Sequence, residues 1–161
     1  MDKLCIKFLL ENQRVFLEQC VKHKLKFPPL LANIVLNELD WWIASQWETF
    51  PTEYSYRTRT LKNGTVDRSP IIRALSTTNL KEMYIIRYAD DFKIFCRSYE
   101  DARKVFAAVK KWLSERLKLE ISDEKSKIIN LKRNYSEYLG FKIKAVRKGN
   151  SYTVRSHMSD K

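Results

Sequence analysis

The sequence has few of the residues from which zinc sites and disulfide frameworks are built. Its three cysteines, Cys5, Cys20 and Cys96, show no C-x-x-C spacing, and the two histidines, His23 and His157, lie far apart in the chain. A structural zinc site is therefore not expected. An odd number of cysteines without a signal peptide predicts a reducing compartment, the cytoplasm.

Long apolar runs and linkers are also missing. No run of apolar residues approaches the roughly 18 to 20 that cross a bilayer, so a membrane-spanning protein is not expected. No internal repeat, low-complexity segment or Pro/Gly/Ser-rich linker divides the 161 residues. A hydrophobic fraction of 44% with 31% charged residues is typical of a globular domain, and the chain is long enough to build a core.

Positive charge is what the sequence has in excess. Thirty-one Lys and Arg residues against 19 Asp and Glu give a formal net charge of +12, and the basic residues recur along the whole chain. This balance favours a polyanionic partner, with nucleic acid the first candidate. The alternative is a well-solvated basic surface without a specific partner.

The first third of the chain has helical periodicity. Apolar residues at mixed helical spacings predict a helical segment over residues 1–27, whose relation to the rest of the fold stays open. Pro28 and Pro29, followed by apolar residues every three or four positions, predict a long amphipathic helix that continues to Trp47.

A basic, tyrosine-rich segment follows over residues 54–68. Asn63-Gly64 lies between strand-like flanks, and such a pair predicts a hairpin with a tight turn. Residues 69–82 are expected to form a loop with a strand of its own. Three basic residues of the hairpin are candidate RNA contacts, because Lys and Arg bind phosphate while nearby aromatic rings stack on unpaired bases: Arg57, Arg59 and Lys62.

The stretch "MYIIRYADDFKIFC", residues 83–96, reads as an antiparallel hairpin. Alternation of apolar residues on both sides of Asp90 and Asp91 gives two strands joined by a short acidic turn. Adjacent carboxylates at the rim of a sheet repel each other unless a cation neutralises them, and oxygen ligands suit Mg²⁺ or Mn²⁺. The alternative is that aspartates are simply favoured in turns.

After this hairpin the sequence predicts one more helix and several strands. Ser98 and Asp101 form a capping-box-like pair ahead of an apolar stripe that runs from Ala102 to Leu117. "SKIIN" and "EYLGFKIKAV" then read as strands, the second ending at a Gly149-Asn150 turn. The predicted class is α+β, with an antiparallel sheet that carries the Asp pair at one rim and helices on one face.

Four landmarks occur in one order: "PLLANIVLNELD", "RYADDFKIFC", "LEISDEKSKI" and "YLGF". In order and approximate spacing they resemble the reverse transcriptases encoded by group II introns, the intron maturases. The resemblance implies that residues 28–161 form a partial palm domain of an RNA-directed DNA polymerase, with the 54–68 hairpin as an insertion. It also implies Mg²⁺, with Mn²⁺ as a substitute, as cofactor for two-metal nucleotidyl transfer, and intron RNA and an RNA/DNA primer-template as partners.

The resemblance also implies roles for the acidic pair and for two lysines. In this family the first Asp of the motif is a metal ligand, here Asp90, and the second, Asp91, supports the same site. Lys125 or Lys127 matches the basic position that faces the incoming triphosphate and protonates the pyrophosphate leaving group. Without the family context, either lysine reads as a solvated surface residue.

Contacts to the primer and the nucleotide are implied at five further positions. Tyr88 matches the tyrosine beside the primer end, and Asn33 lies near the exposed start of the helix that backs the nascent base pair. Tyr138, Leu139 and Gly140 match the turn that grips the primer backbone. Read alone, Tyr88 is a strand aromatic and Gly140 marks a bulge or a close backbone approach.

The sequence departs from the family where a further catalytic aspartate is expected. That residue should lie upstream on a separate strand, yet the only Asp before Asp40 is Asp2. The Gln-Gly loop and Ser-Pro that usually precede the long helix are replaced by "HKLKFPP", and fingers and thumb segments are not found. We therefore expect the chain alone to extend a primer poorly, because part of the metal clamp is lost.

Two other functions stay open at this point. The chain could be a non-catalytic RNA-binding module, as the net charge and the basic hairpin suggest. It could also be a structural remnant that self-associates through uncovered palm surfaces, with three tryptophans as candidate apolar contacts: Trp41, Trp42 and Trp47.

Overall fold

The computed structural model describes residues 4–8 and 28–159, which form the expected α+β fold. Three α-helices are present in the described part: α1 (Pro28–Gln46), α2 (Ser69–Ser76) and α3 (Tyr99–Trp112), the last continued by a π-helical segment, Leu113–Leu117. The strands are β1 (Leu4–Phe8), β2 (Arg59–Thr60), β3 (Val66–Asp67), β4 (Met83–Tyr88), β5 (Asp91–Cys96), β6 (Lys127–Asn130), β7 (Ser136–Tyr138), β8 (Phe141–Lys148) and β9 (Ser151–Met158).

The central sheet has four antiparallel strands in the order β4-β5-β1-β6. The predicted hairpin of β4 and β5 is confirmed, and Tyr88 pairs with Asp91 at its tip. β1 inserts beside this hairpin, with Phe8 paired to Phe92 and Leu4 to Cys96. A strand from the N-terminal end of the chain therefore lies next to the strand that begins with Asp91.

The helical prediction for residues 1–27 is wrong at Leu4–Phe8, which form β1. Leu4 and Ile6 alternate with Cys5 and Lys7, so the period is that of a strand, and pairing on both edges satisfies the backbone. Residues 9–27 of the predicted helical segment lie outside the described residues.

One face of the central sheet packs against α1 and α3, as predicted. Alternation points Ile6, Phe92 and Ile94 to this face, where all three are buried. Trp42 of α1 and Trp112 of α3 stack with ring centroids 5.2 Å apart, which joins the two helices. Trp47 is buried and its Nε1 donates to the Tyr84 hydroxyl at 3.1 Å, whereas Trp41 is exposed. None of the helices in the part of the chain described here is long and apolar enough to cross a membrane.

The opposite face of the central sheet is partly covered by a second antiparallel sheet, β7-β8-β9. Cys5, Leu131 and Ala145 are buried between the two sheets, with Phe95 and Ile143 packed against them. "EYLGFKIKAV", predicted as one strand, is two, because Leu139 and Gly140 adopt positive φ of 50° and 77° and turn the chain.

The segment between α1 and β4 contains a short hairpin and a helix. The hairpin of β2 and β3 turns at Asn63-Gly64 as predicted, with Gly64 at φ 81°. The loop or strand expected over residues 69–82 is corrected to α2, a helix over Ser69–Ser76 with Pro70 in its first turn.

Candidate metal and nucleotidyl-transfer site

The acidic pair lies at the tip of the β4–β5 hairpin, whose two-residue turn is Ala89-Asp90. Ala89 has φ 52°, a left-handed conformation that costs a residue with a Cβ about 1 kcal/mol. Asp90 completes the turn and Asp91 begins β5 opposite Tyr88. Residues paired across antiparallel strands point to the same face, so Tyr88 and Asp91 project together on the face away from α1 and α3.

Arg87 connects this turn to helix α1. Its Nε and Nη2 donate to both carboxylate oxygens of Asp40 at 2.7–3.0 Å, and its Nη1 donates to Asn33 Oδ1 at 2.8 Å. The same Nη1 donates to the carbonyl oxygen of Ala89 at 3.0 Å. The Arg87 side chain is only 12% exposed. A bidentate ion pair of this kind fixes orientation as well as position, so the left-handed turn is held from one side.

The carboxylate of Asp91 is partly buried and, among the described residues, incompletely hydrogen-bonded. Its Oδ1 is buried without a hydrogen-bond partner in the part of the chain that is described. Burial raises the pKa of this carboxyl, the nearby Lys7 and Lys93 oppose that rise, and the negative charge of Asp90 adds to it. A buried carboxylate oxygen beside a second carboxylate is the donor chemistry that Mg²⁺ and Mn²⁺ prefer, so the two residues fit a divalent ion.

The described residues bring together fewer carboxylates than a two-metal site requires. Among them, no group of three or more His, Cys, Asp or Glu side chains is placed to hold a metal ion. The family's further aspartate is expected on an upstream strand, and β1 is an upstream strand beside β5. On the Asp91 face, however, β1 presents Cys5 and Lys7 and no aspartate. The chain that follows Phe8 lies outside the described residues.

A buried lysine links the acidic hairpin to the second sheet. Lys93 is fully buried, its Nζ donates to Ser136 Oγ at 2.7 Å and lies 5.5 Å from the centre of the Tyr138 ring. The thiol of Cys5 contacts the same Ser136 hydroxyl at 3.8 Å. Burial lowers the pKa of the Lys93 ammonium. Through these contacts β7, which leads into the Leu139-Gly140 turn, is anchored to the strand that begins with Asp91.

Lys93 is the first of three lysines that cross the sheet in one row. It pairs with Lys7 on β1, which in turn pairs with Lys127 on β6, so all three project on the Asp91 face. Lys125 lies instead in the exposed turn before β6. Of the two lysines that the sequence proposed for the triphosphate, Lys127 is therefore the one that projects on the same sheet face as Asp91.

The comparison with known proteins decides the family. Residues 4–143 match the family model described as reverse transcriptase (RNA-dependent DNA polymerase), which is most of the chain. The chain belongs to the reverse transcriptase family. It is 28% identical to the group II intron-encoded protein LtrA of Lactococcus lactis subsp. cremoris, and equally to that of its strain MG1363, over 187 aligned positions. The alignment covers 92% of this chain and spans about 30% of the length of those relatives.

These matches confirm the resemblance to group II intron-encoded reverse transcriptases. They also confirm the palm-like fold, in which the antiparallel sheet carries the YADD hairpin, that is, β4 and β5 joined at Tyr88-Ala89-Asp90-Asp91, and the helices pack on one face. β1 lies within the matched range, so the family likeness begins upstream of Pro28, where the sequence motifs had placed its start. Reverse transcriptases generally use divalent metal ions, which agrees with the chemistry of the acidic pair.

The residues assigned to the primer and the nucleotide have different surroundings in this palm. Tyr88 is 64% exposed beside Asp91, and the Leu139-Gly140 turn is also exposed. The Tyr138 hydroxyl is buried and has no hydrogen-bond partner among the described residues. The side-chain oxygen of Asn33 accepts a hydrogen bond from Arg87. These assignments stay predictions, and for Asn33 the geometry adds a contact to the hairpin.

The three basic residues proposed to bind RNA lie in and before the β2–β3 hairpin. Arg57, Arg59 and Lys62 are all exposed. Arg59 lies 3.6 Å from Asp67, its neighbour across the hairpin. Hydrogen bonds from the Ser69 hydroxyl and backbone, followed by the weaker effect of Arg59, lower the pKa of Asp67. This hairpin forms a two-stranded sheet of its own and, in the described part of the chain, is not hydrogen-bonded into the central sheet that carries the acidic pair.

Sequence reasoning missed the two residues that support the site most directly, Arg87 and Lys93. Arg87 stands at a position of β4 where alternation points to α1, so an arginine there requires a carboxylate on the helix, which Asp40 provides. Lys93 stands inside an otherwise apolar strand on the face of Asp91. In both cases the signal in the sequence is a charged residue at a strand position where alternation predicts burial.

Proposed function

We propose that this chain carries the YADD part of the catalytic site of an RNA-directed DNA polymerase of the intron-maturase type. Its partners would be RNA and an RNA/DNA primer-template, and its cofactor Mg²⁺, with Mn²⁺ as a substitute. The observation that carries the proposal is the adjacent pair Asp90 and Asp91, whose buried oxygen lacks a partner at the tip of the palm hairpin in the described part of the chain.

The residues of the site have separate tasks in this proposal. Asp90 and Asp91 would hold divalent ions, and these would supply charge stabilisation for the oxygens that change bonding in nucleotidyl transfer. Lys127 faces the triphosphate and donates a proton to the pyrophosphate leaving group, a task that Lys125 would share from its exposed turn. Tyr88 packs beside the primer end.

Two-metal transfer also needs the further aspartate of the family. Because the described strand β1 presents Lys7 and Cys5 toward the site, we expect this chain alone to extend a primer very slowly. An upstream segment of an intron-encoded relative that carries the aspartate should restore activity when it is added to the chain.

Primer extension on an RNA template, with Mg²⁺ or Mn²⁺, tests this proposal. The chain alone is compared with the chain plus the upstream segment, and the complemented reaction is repeated with Asp90→Ala. Asp123→Ala is the matched control, because Asp123 is an exposed carboxylate paired only with Lys110 in the described structure. We expect extension in the complemented reaction, its loss with Asp90→Ala and its retention with Asp123→Ala.

Two results would contradict the polymerase proposal. One is an inactive complemented reaction, and the other is an unchanged rate with Asp90→Ala. If RNA binding persisted in either case, the chain would be a non-catalytic RNA-binding module. The RNA contacts proposed at Arg57, Arg59 and Lys62 are tested by neutralising all three, which should reduce the dependence of RNA affinity on salt.

A further inference from the structure

The two long strands β8 and β9 form a ribbon with two different faces. Ile143 and Ala145 of β8 point inward, where they pack with Cys5 and Leu131. Alternation therefore turns the intervening residues outward, and pairing across the ribbon places their partners on the same side. The charged and titratable residues on this outward face are Lys142, Lys144, Lys148, Arg155 and His157.

An aromatic ring lies over the middle of this face. Tyr135, just before β7, contacts the His157 ring edge-on at 4.9 Å between centroids, and Lys144 Nζ lies 5.0 Å from the centre of its ring. The Tyr135 side chain is still 44% exposed. The ring is thus held in place by two neighbours while a large part of it stays accessible to a partner.

The charge on this outward face is almost entirely positive. It carries four Lys and Arg residues, Lys142, Lys144, Lys148 and Arg155, and one acidic residue, Glu137, which pairs with Lys142 in the sheet. Lys144, Lys148 and Arg155 form no ion pair with a carboxylate in the described part of the chain. Some basic side chains elsewhere in that part are paired with acids, for example Arg87 with Asp40 and Arg116 with Glu38.

We propose that the outward face of β8 and β9, together with Tyr135, binds single-stranded RNA through its phosphates and one stacked base. We call it the ribbon face. The inference rests on the nucleic-acid-binding part of the proposed function and adds a surface separate from Asp90 and Asp91. Lys142 and Lys144 stand about 7 Å apart along their strand, so the cations form a row that suits an extended phosphate backbone better than one small anion.

Single-stranded RNA fits this face better than a duplex. An exposed aromatic ring can stack only on a base that is not already stacked between neighbouring bases. Every base has a flat aromatic face suited to such stacking, so the contact does not depend on sequence. A duplex would contact only the cations through its phosphates, because its paired bases could not stack on Tyr135. The ring therefore distinguishes the two forms of RNA.

The test is fluorescence anisotropy of a labelled single-stranded RNA of mixed sequence, titrated with salt against the whole chain. Lys144, Lys148 and Arg155 are changed together to Gln. The matched control changes three exposed cations of α3 to Gln, with the same loss of charge: Arg103, Lys104 and Lys111. Circular dichroism and thermal unfolding confirm that both variants keep the fold.

The ribbon variant should bind about 100-fold more weakly at 0.1 M salt, with a slope of log affinity against log salt reduced by about two, because three phosphate contacts are lost. The α3 variant should lose much less. Tyr135→Ala should weaken single-strand binding about tenfold while Tyr135→Phe retains it, and neither should change binding of duplex RNA.

Equal losses in the ribbon and α3 variants would overturn the inference, because they would show a diffuse effect of charge. Unchanged binding in the ribbon variant, with normal binding by the wild-type chain, would overturn it while leaving the proposed function standing. A wild-type chain that binds no RNA at 0.05 M salt would remove both the ribbon face and the RNA-binding part of the proposed function. If Tyr135→Ala weakened the binding of duplex RNA more than that of single-stranded RNA, the ribbon face would bind duplex RNA and the inference would be wrong.

Discussion

Arg87 donates hydrogen bonds from two nitrogens to the carboxylate of Asp40 at 2.7–3.0 Å, and this contact connects the YADD hairpin to the long helix α1. The same guanidinium donates to the carbonyl of Ala89, the residue with φ 52° that precedes Asp90. The ion pair therefore sets the direction in which the acidic pair projects. It also explains why a carboxylate stands in the middle of α1.

Breaking this ion pair should destabilise the chain strongly. We expect Arg87→Ala and Asp40→Ala each to lower the free energy of unfolding by about 2–4 kcal/mol, because each leaves a partly buried charge without its partner. In a double-mutant cycle the coupling energy should reach about 1–3 kcal/mol. Urea denaturation of the four proteins measures it.

The exposed pair Lys110–Asp123 provides the control for that cycle. Its side chains are 48% and 71% exposed, so its coupling energy should stay below about 1 kcal/mol. Similar coupling energies in the two cycles would show that Arg87 and Asp40 behave as an ordinary surface ion pair, and the positioning role would be lost.

The buried ammonium of Lys93 gives a second prediction. Ser136→Ala removes its hydroxyl partner and should cost about 2 kcal/mol, because the ammonium stays buried. Lys93→Met removes the charge and keeps the volume, so it should be close to neutral, and adding it to Ser136→Ala should recover stability. Thermal unfolding is the measurement, and Ser122→Ala is the control, because Ser122 is also a buried serine. A double variant less stable than Ser136→Ala alone would contradict the contact.

Cys96 gives a prediction about the fold itself. It is buried against the helices, and burial raises the pKa of its thiol to about 12. Because the thiolate is the reactive form, alkylation of Cys96 at pH 8 should be about a thousand-fold slower in the folded chain than in urea. Peptide mass spectrometry after timed quenching checks this. Rapid labelling in the absence of urea would place β5 outside the core.

Much of the fold could be predicted from local sequence pattern. The alternation around Asp90 and Asp91 predicted the β4–β5 hairpin, and the apolar stripe after Ser98 predicted α3. Ser98 indeed caps that helix, because its hydroxyl oxygen accepts from the Asp101 backbone at 3.1 Å. Patterns of this kind work where one face of an element is buried along its whole length.

Other features depend on contacts between distant parts of the chain. β1 has only five residues, and the strand period of Leu4 and Ile6 was hidden by the helical spacings that follow it in the sequence. Its place beside β5 comes from long-range pairing that no local window contains. The same holds for Arg87 with Asp40 and for Lys93 with Ser136, which are 47 and 43 positions apart.

The role of Asp90 and Asp91 is tested most directly by Mn²⁺ binding to the purified chain, followed by electron paramagnetic resonance. Asp90→Asn and Asp91→Asn are compared with the wild-type chain, and Asp123→Asn serves as the surface control. We expect a Mn²⁺ site for which Mg²⁺ competes. Each Asn change at the hairpin should weaken Mn²⁺ binding at least about tenfold, and Asp123→Asn should leave it intact. Mn²⁺ affinity that is the same in Asp90→Asn, Asp91→Asn and the wild-type chain would contradict it.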